Sequence, residues 1–184
     1  MQFNDAELVQ RDPLIDRVLI SSDDIQKRCQ QLGTEISAAY VDRQPILISI
    51  LKGAYVFMAD LTRHISVHHE VDFMAISSYH GGTQSTGVVK IEKDLKANIT
   101  DRDVLIVEDI VDTGLTLNHL LELLETRNPR SLRICTLLDK TSRRLKPVPV
   151  EYRGFEIPDE FVIGYGLDYD EKYRNLPFIG VLKP

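Results

Sequence analysis

Residues 104–117 read VLIVEDIVDTGLTL and concentrate most of the chemistry available to this sequence. Four apolar residues, Val104 to Val107, suit a buried strand whose carboxyl end carries Glu108 and Asp109 side by side. A short turn with Asp112, Thr113, Gly114 and Thr116 then leads into a helical pattern. A turn feeding a helix N-terminus presents unpaired amide N–H groups and the positive end of the helix dipole, which suits a phosphate. Thr113 and Thr116 add hydroxyl donors, and Gly114 lets the backbone approach closely. Two carboxylates beside such a site would repel a phosphate, so they make sense facing Mg²⁺ or sugar hydroxyls. Taken singly, Glu108 and Asp109 read as a solvated strand end and Asp112 as an N-cap. Taken as one run, the spacing points to a ligand site at the carboxyl end of a strand, where open α/β sheets bind ligands.

The elements that must position this run alternate in period. Ile25, Cys29, Leu32, Ile36 and Tyr40 recur at helical spacing over 22–41, behind the capping candidates Ser21 and Ser22. PILISIL at 45–51 is a short continuous apolar run and predicts a buried strand. Residues 54–66 are helical in pattern, 70–78 suit a strand, and 79–87 (YHGGTQSTG) are a polar, Gly-rich loop. Strands follow at VVKIE and VLIVEDI, then a helix over 115–127 and a strand at SLRICTLLD. Such alternation implies a single α/β domain over 1–184, a mainly parallel sheet with helices on both faces. The tail, 147–184, has weaker periodicity and suits a small hood built with the N-terminal segment.

Composition narrows the partners. With 28 Asp+Glu against 22 Lys+Arg, the net charge of −6 disfavours a nucleic-acid coat or a polybasic membrane-surface protein. Cys29 and Cys135 stand far apart with no zinc-type spacing, which fits a reducing compartment rather than a disulfide framework. The opening MQFNDAELVQ lacks a basic and then apolar leader, and no run of 18 apolar residues occurs. A cytoplasmic location is the expectation. Five histidines fall in no HExxH or similar spacing, and Walker A, GxSxG and GxGxxG patterns are missing.

VLIVEDIVDTGLT is similar to the phosphoribosyl-pyrophosphate (PRPP) motif of type I phosphoribosyltransferases. LKG at 51–53 looks like the pyrophosphate loop of their 6-oxopurine (hypoxanthine-guanine) branch, and SSYHGGTQSTGVV at 77–89 like its mobile active-site loop. LLDK ending at Lys140, FEIPDEFVIGYGLDYDEKYRNLP at 155–177 and the closing GVLKP complete an ordered match over about residues 15–184. The resemblance implies transfer of phosphoribosyl from PRPP to hypoxanthine, and to guanine, giving IMP or GMP and pyrophosphate with Mg²⁺. It also implies a homodimer or homotetramer.

Carried onto this chain, the resemblance gives Glu108 and Asp109 the ribose hydroxyls and a Mg²⁺, and makes Asp112 the general acid/base. The amides of Thr113, Gly114, Leu115 and Thr116 would cradle the 5′-phosphate, with Leu115 standing where some relatives carry Lys. Lys52, Gly53 and Arg174 would grip pyrophosphate, often with a cis peptide before the Lys, and Asp168 would take a second Mg²⁺. Lys140 would meet the 6-oxo group, Phe161 would stack on the purine, and the Val162 backbone would read its edge. Ser78 and Tyr79 would open the mobile loop. Plainer alternatives stand beside these roles: a strand exit for Lys52, a solvated terminus for Lys140, core packing for Phe161, and a surface charge cluster for DYDEKYR. Two rivals remain: a regulator that keeps the PRPP fold to sense nucleotides while binding RNA, and a transferase for another base such as xanthine.

Overall fold

A computed structural model of the chain describes residues 4–78 and 89–183. A short helix α1 (Asp5–Arg11) and a strand β1 (Ile15–Ile20) precede the long helix α2 (Ser22–Ala39). Ser21 caps α2 by accepting the amide of Asp24 at 3.1 Å. Next come β2 (Ile46–Leu51), α3 (Tyr55–Thr62), β3 (Glu70–Ser78), β4 (Val89–Lys93) and β5 (Asp103–Val111). α4 (Leu115–Glu125), β6 (Ser131–Asp139), β7 (Tyr152–Glu156), β8 (Val162–Ile163) and β9 (Ile179–Leu182) complete the chain, with one 3-10 turn at Thr141–Arg143.

The main sheet runs β4-β3-β2-β5-β6-β7. Only the β3–β4 pair is antiparallel, so this is the mainly parallel, helix-flanked α/β sheet that the sequence pattern implies. Alternate residues of the same strands feed opposite faces, as strand geometry requires. Leu47, Leu105, Val107 and Leu137 pack under α2 and α3, against Ile25, Cys29, Leu32, Phe57, Met58 and Leu61. Ile46, Ile48, Val104, Ile106 and Ile134 face the other way, against Leu117, Leu120, Leu121 and Leu124 of α4. Both cysteines are buried and free.

A second sheet has the order β1-β9-β8, all antiparallel. It draws on the N-terminal segment and the tail, but β7, also within 147–184, joins the main sheet beside β6 instead. The helices end earlier than periodicity suggests, for local reasons. After Thr62 the amides of Arg63, His64 and Ile65 bond to carbonyls three residues back, which tightens the turn out of the helix. α4 closes in the same manner through Arg127 and Asn128, with Asn128 left-handed (φ 52°) just before Pro129. No helix among the described residues is long and apolar enough to cross a membrane.

Leu120 is fully buried between α4 and the sheet. Leu120→Ala is expected to cost about 2–5 kcal/mol by removing contacts and leaving a cavity, read as a lower urea midpoint with an unchanged slope.

Candidate active site

The carboxyl ends of β2, β5 and β6 lie side by side, and the site collects there. Glu108 and Asp109 are consecutive on β5 and so diverge to opposite sides of the strand. Glu108 lines a 150 Å³ cavity with Asp112, Thr113, Gly114 and Thr116. Asp109 turns toward the β2–α3 loop. Its Oδ2 lies 1.7 Å from where a Cβ on Gly53 would stand, so a side chain there would force the Asp109 carboxylate to turn aside. Its Oδ1 accepts the amide of Ile110 at 2.9 Å.

Burial pushes both carboxyls up. Glu108 lies well above the usual carboxylate range, through desolvation and then the neighbouring charge of Asp109. Asp109 is pushed up to about 6, mainly by burial; the Ile110 amide and Arg174 pull it down, and Asp168 raises it.

The turn between β5 and α4 is clamped from behind. Thr113 O accepts the amides of Leu145 and Lys146 at 2.9 and 3.1 Å, and Asp112 O accepts Arg144 Nε at 3.2 Å. Arg144 is itself held by the buried Asp139, which also pairs with Arg153 at 2.7 Å. Gly114, at φ +80°, is the N-cap of α4 and offers no side-chain cap. Asp112 is therefore not the N-cap. Among the described residues the one side-chain partner for the amides that open α4 is a long 3.4 Å contact from Leu115 N to Thr113 Oγ1. An open cradle at a helix N-terminus results, with the 150 Å³ cavity before it. Asp112 Oδ1 lies 3.2 Å from Arg143 Nε.

Lys52 and Arg174, 122 positions apart in sequence, meet through a residue that sequence reasoning missed. Glu171 sits 3.2 Å from Lys52 Nζ and 3.3 Å from Arg174 Nη2, and Lys52 first, then Arg174, holds its carboxyl below the usual range. Arg174 also donates to Gly166 O at 2.8 Å and pairs with Asp168 at 2.8 Å. The Leu51–Lys52 peptide is cis. DYDEKYR is thus part of the site wall and not a detached surface cluster.

At the third corner Lys140 is buried, 7% exposed, which removes the solvated-terminus alternative. Its Nζ donates to Glu160 O at 2.7 Å and lies 3.8 Å from Asp159. Phe161 is 55% exposed, so core packing does not account for it. Its ring meets Tyr169 edge-on, with centroids 5.7 Å apart. Val162 is buried in β8, paired with Val181. Arg143 joins this corner to Asp112, since it also reaches Asp159 at 3.3 Å. Ser78 ends β3; Tyr79 and the rest of the expected loop through Gly87 lie outside the described residues.

Among the described residues no three His, Cys, Asp or Glu side chains converge as a metal cage. Glu108, Asp109 and Asp168, expected as metal ligands, do not form one set, because Glu108 and Asp109 leave β5 on opposite sides. Asp109 and Asp168 do share the Arg174 side. That donor chemistry fits Mg²⁺, which binds through one or two carboxylates together with substrate oxygens and water.

A mainly parallel sheet with an amide cradle after a strand-end acidic pair places a helix N-terminus suited to phosphate at the carboxyl ends of the strands. The model of the phosphoribosyl transferase domain matches residues 21–170, and the chain belongs to that family. Within it, the chain is 54% identical over 170 residues to the hypoxanthine-guanine phosphoribosyltransferase of Bacillus subtilis, covering 92% of this chain and 94% of that one. The crystal structure of a hypoxanthine phosphoribosyltransferase from Staphylococcus aureus superposes with a TM-score of 0.91 at 51% identity, covering 93% of each chain. That of the Trypanosoma cruzi hypoxanthine phosphoribosyltransferase gives 0.89 at 40% identity, covering 94% of each.

The raised carboxyls give a signed pH dependence. In the ligand-free protein the native state holds protons on Asp109 that the unfolded chain releases. The stability from this source is complete below about pH 4 and fades as pH rises through about 6. Melting temperature, measured as parent minus Asp109→Asn, is therefore expected to fall across that window. A flat difference would contradict the assignment.

Proposed function

We propose that the protein is a Mg²⁺-dependent purine-salvage phosphoribosyltransferase that converts hypoxanthine and PRPP to IMP and pyrophosphate, and guanine to GMP. The observation that carries the choice of base is Lys140, a buried ammonium that donates to the carbonyl of Glu160, the residue before the exposed Phe161. A donor-only group there favours an oxo substituent over the amino group of adenine. The family membership and the identity to hypoxanthine-guanine relatives support the same reading.

In this reading Phe161 stacks on the purine, the Val162 backbone reads its edge, and Lys140 donates to the 6-oxo group. The amides of Thr113, Gly114, Leu115 and Thr116 hold the 5′-phosphate in the cavity before α4. Glu108 and Asp109 accept from the ribose hydroxyls. Lys52, the Gly53 backbone and Arg174 hold the pyrophosphate, with Glu171 giving up its two cations as the anion enters. Asp109 and Asp168 would hold a Mg²⁺, which when bound would supply positive charge to the leaving pyrophosphate. A C–N bond forms at the ribose carbon as its bond to pyrophosphate oxygen breaks, and Asp112 takes the proton released from the imidazole side of the base. Ser78 and Tyr79 would help exclude water from the cation-like ribose. Two buried free cysteines suit a reducing, cytoplasmic setting, and the family resemblance supports a homodimer or homotetramer.

Rates with hypoxanthine, guanine, xanthine and adenine test the base assignment: the first two are expected to turn over, and adenine is not. Asp112→Asn is expected to lower turnover about 10²–10⁴-fold while PRPP affinity survives. Unchanged turnover in that variant would remove the acid/base role.

A further inference from the structure

Behind the pyrophosphate corner lies a polar link that the proposed chemistry does not use. Tyr165 is 3% exposed and takes a left-handed backbone (φ 48°) between two further left-handed residues, Gly164 and Gly166. An aromatic residue rarely holds that conformation, so its surroundings must determine it. Its hydroxyl donates to Asp60 Oδ2 of α3 at 2.6 Å, and the same oxygen accepts Gln26 Nε2 of α2 at 2.8 Å. Cys29 Sγ stands 3.7 Å from the phenol oxygen. Burial pushes the phenol far above its ordinary range, so it remains a donor.

The next residue is the contact that matters. Gly166 donates its amide to Arg174 O at 3.0 Å and accepts Arg174 Nη1 on its carbonyl at 2.8 Å. A Cβ on Gly166 would lie 2.0 Å from Gly53 O, so the two backbones touch. Gly53 in turn touches Asp109. One turn therefore sets the aim of Arg174 and the height of the Gly53 loop, and the Tyr165 hydroxyl is its only side-chain hydrogen bond to α3 among the described residues.

We propose that the Tyr165–Asp60 hydrogen bond is a positioning device for the pyrophosphate end of the site, fixing Gly166 against Gly53 and so the aim of Arg174. Tyr165 and Asp60 touch no substrate and act through those groups. The proposal rests on the phosphoribosyltransferase reading for the role of that corner, and it deepens that reading.

The test pairs steady-state kinetics with calorimetric titration of Mg²⁺ and inorganic pyrophosphate, which needs no nucleobase chemistry. Tyr165→Phe keeps the ring and removes the hydroxyl. It is expected to raise KM for PRPP and Kd for pyrophosphate together by about five- to tenfold, the loss of one hydrogen bond to a carboxylate. KM for hypoxanthine should stay within about twofold of the parent value. Asp60→Ala should reproduce the defect, and Asp60→Asn, which keeps an acceptor, should largely restore parent values. A pyrophosphate Kd unchanged in both Tyr165→Phe and Asp60→Ala overturns the proposal, as does an equal rise for both substrates, the mark of general loosening. If the parent binds pyrophosphate yet forms no IMP, the base assignment fails while the positioning role is still decided by calorimetry.

Discussion

Two adjacent carboxylates at the end of a buried strand constrain everything else at this site. Glu108 and Asp109 occupy a partly buried position where desolvation is the largest cause of the rise in both. Strand geometry sends them to opposite sides. On one side Glu108 needs the roomy cavity before α4; on the other Asp109 needs a loop without a side chain, which Gly53 provides. The order of the main sheet makes these contacts possible. β2 lies beside β5, which lets the Gly53 loop reach Asp109, and β6 beside β5, which lets Arg143 and Arg144 reach the Asp112 turn.

The cations of the site are already engaged. Lys52 and Arg174 share Glu171, Arg174 also holds Asp168, and Arg143 bridges Asp112 and Asp159. Pairs with so exposed a partner as Glu171 are individually weak, so a polyanion can replace that carboxylate at small cost. The internal pairs hold the side chains near their working positions in the meantime. The deeper pairs differ in kind: Asp139, 1% exposed between Arg144 and Arg153, anchors through Arg144 the turn that leads into α4. A net charge of −6 is therefore a poor guide to ligand preference, because local pairing and a helix N-terminus decide it.

Much of this was legible in the sequence because it is local. The run 104–117 carries its own strand, acidic pair, turn and helix start, and its alternation with PILISIL and SLRICTLLD implies the parallel sheet. What stayed hidden is contact between distant segments. Glu171 reads as surface charge until the fold places it between Lys52 and Arg174, and Arg143 reads as one basic residue among several until it bridges Asp112 and Asp159. Tyr165 lies in a Gly-flanked stretch whose pattern says turn, yet nothing in it names Asp60 as a partner. No sequence pattern marks α1, β1, β7, β8 or β9, because short elements carry too few residues for a period to show; β8 has only two.

In the proposed reading the strand-end carboxylates meet a metal-bound phosphoribosyl group. Calorimetric titration with PRPP, with Mg²⁺ present and then removed by chelation, tests it most directly. Affinity is expected to fall by at least about tenfold on chelation, and this loss to shrink in Asp109→Asn. Equal PRPP affinity with and without Mg²⁺ would contradict it.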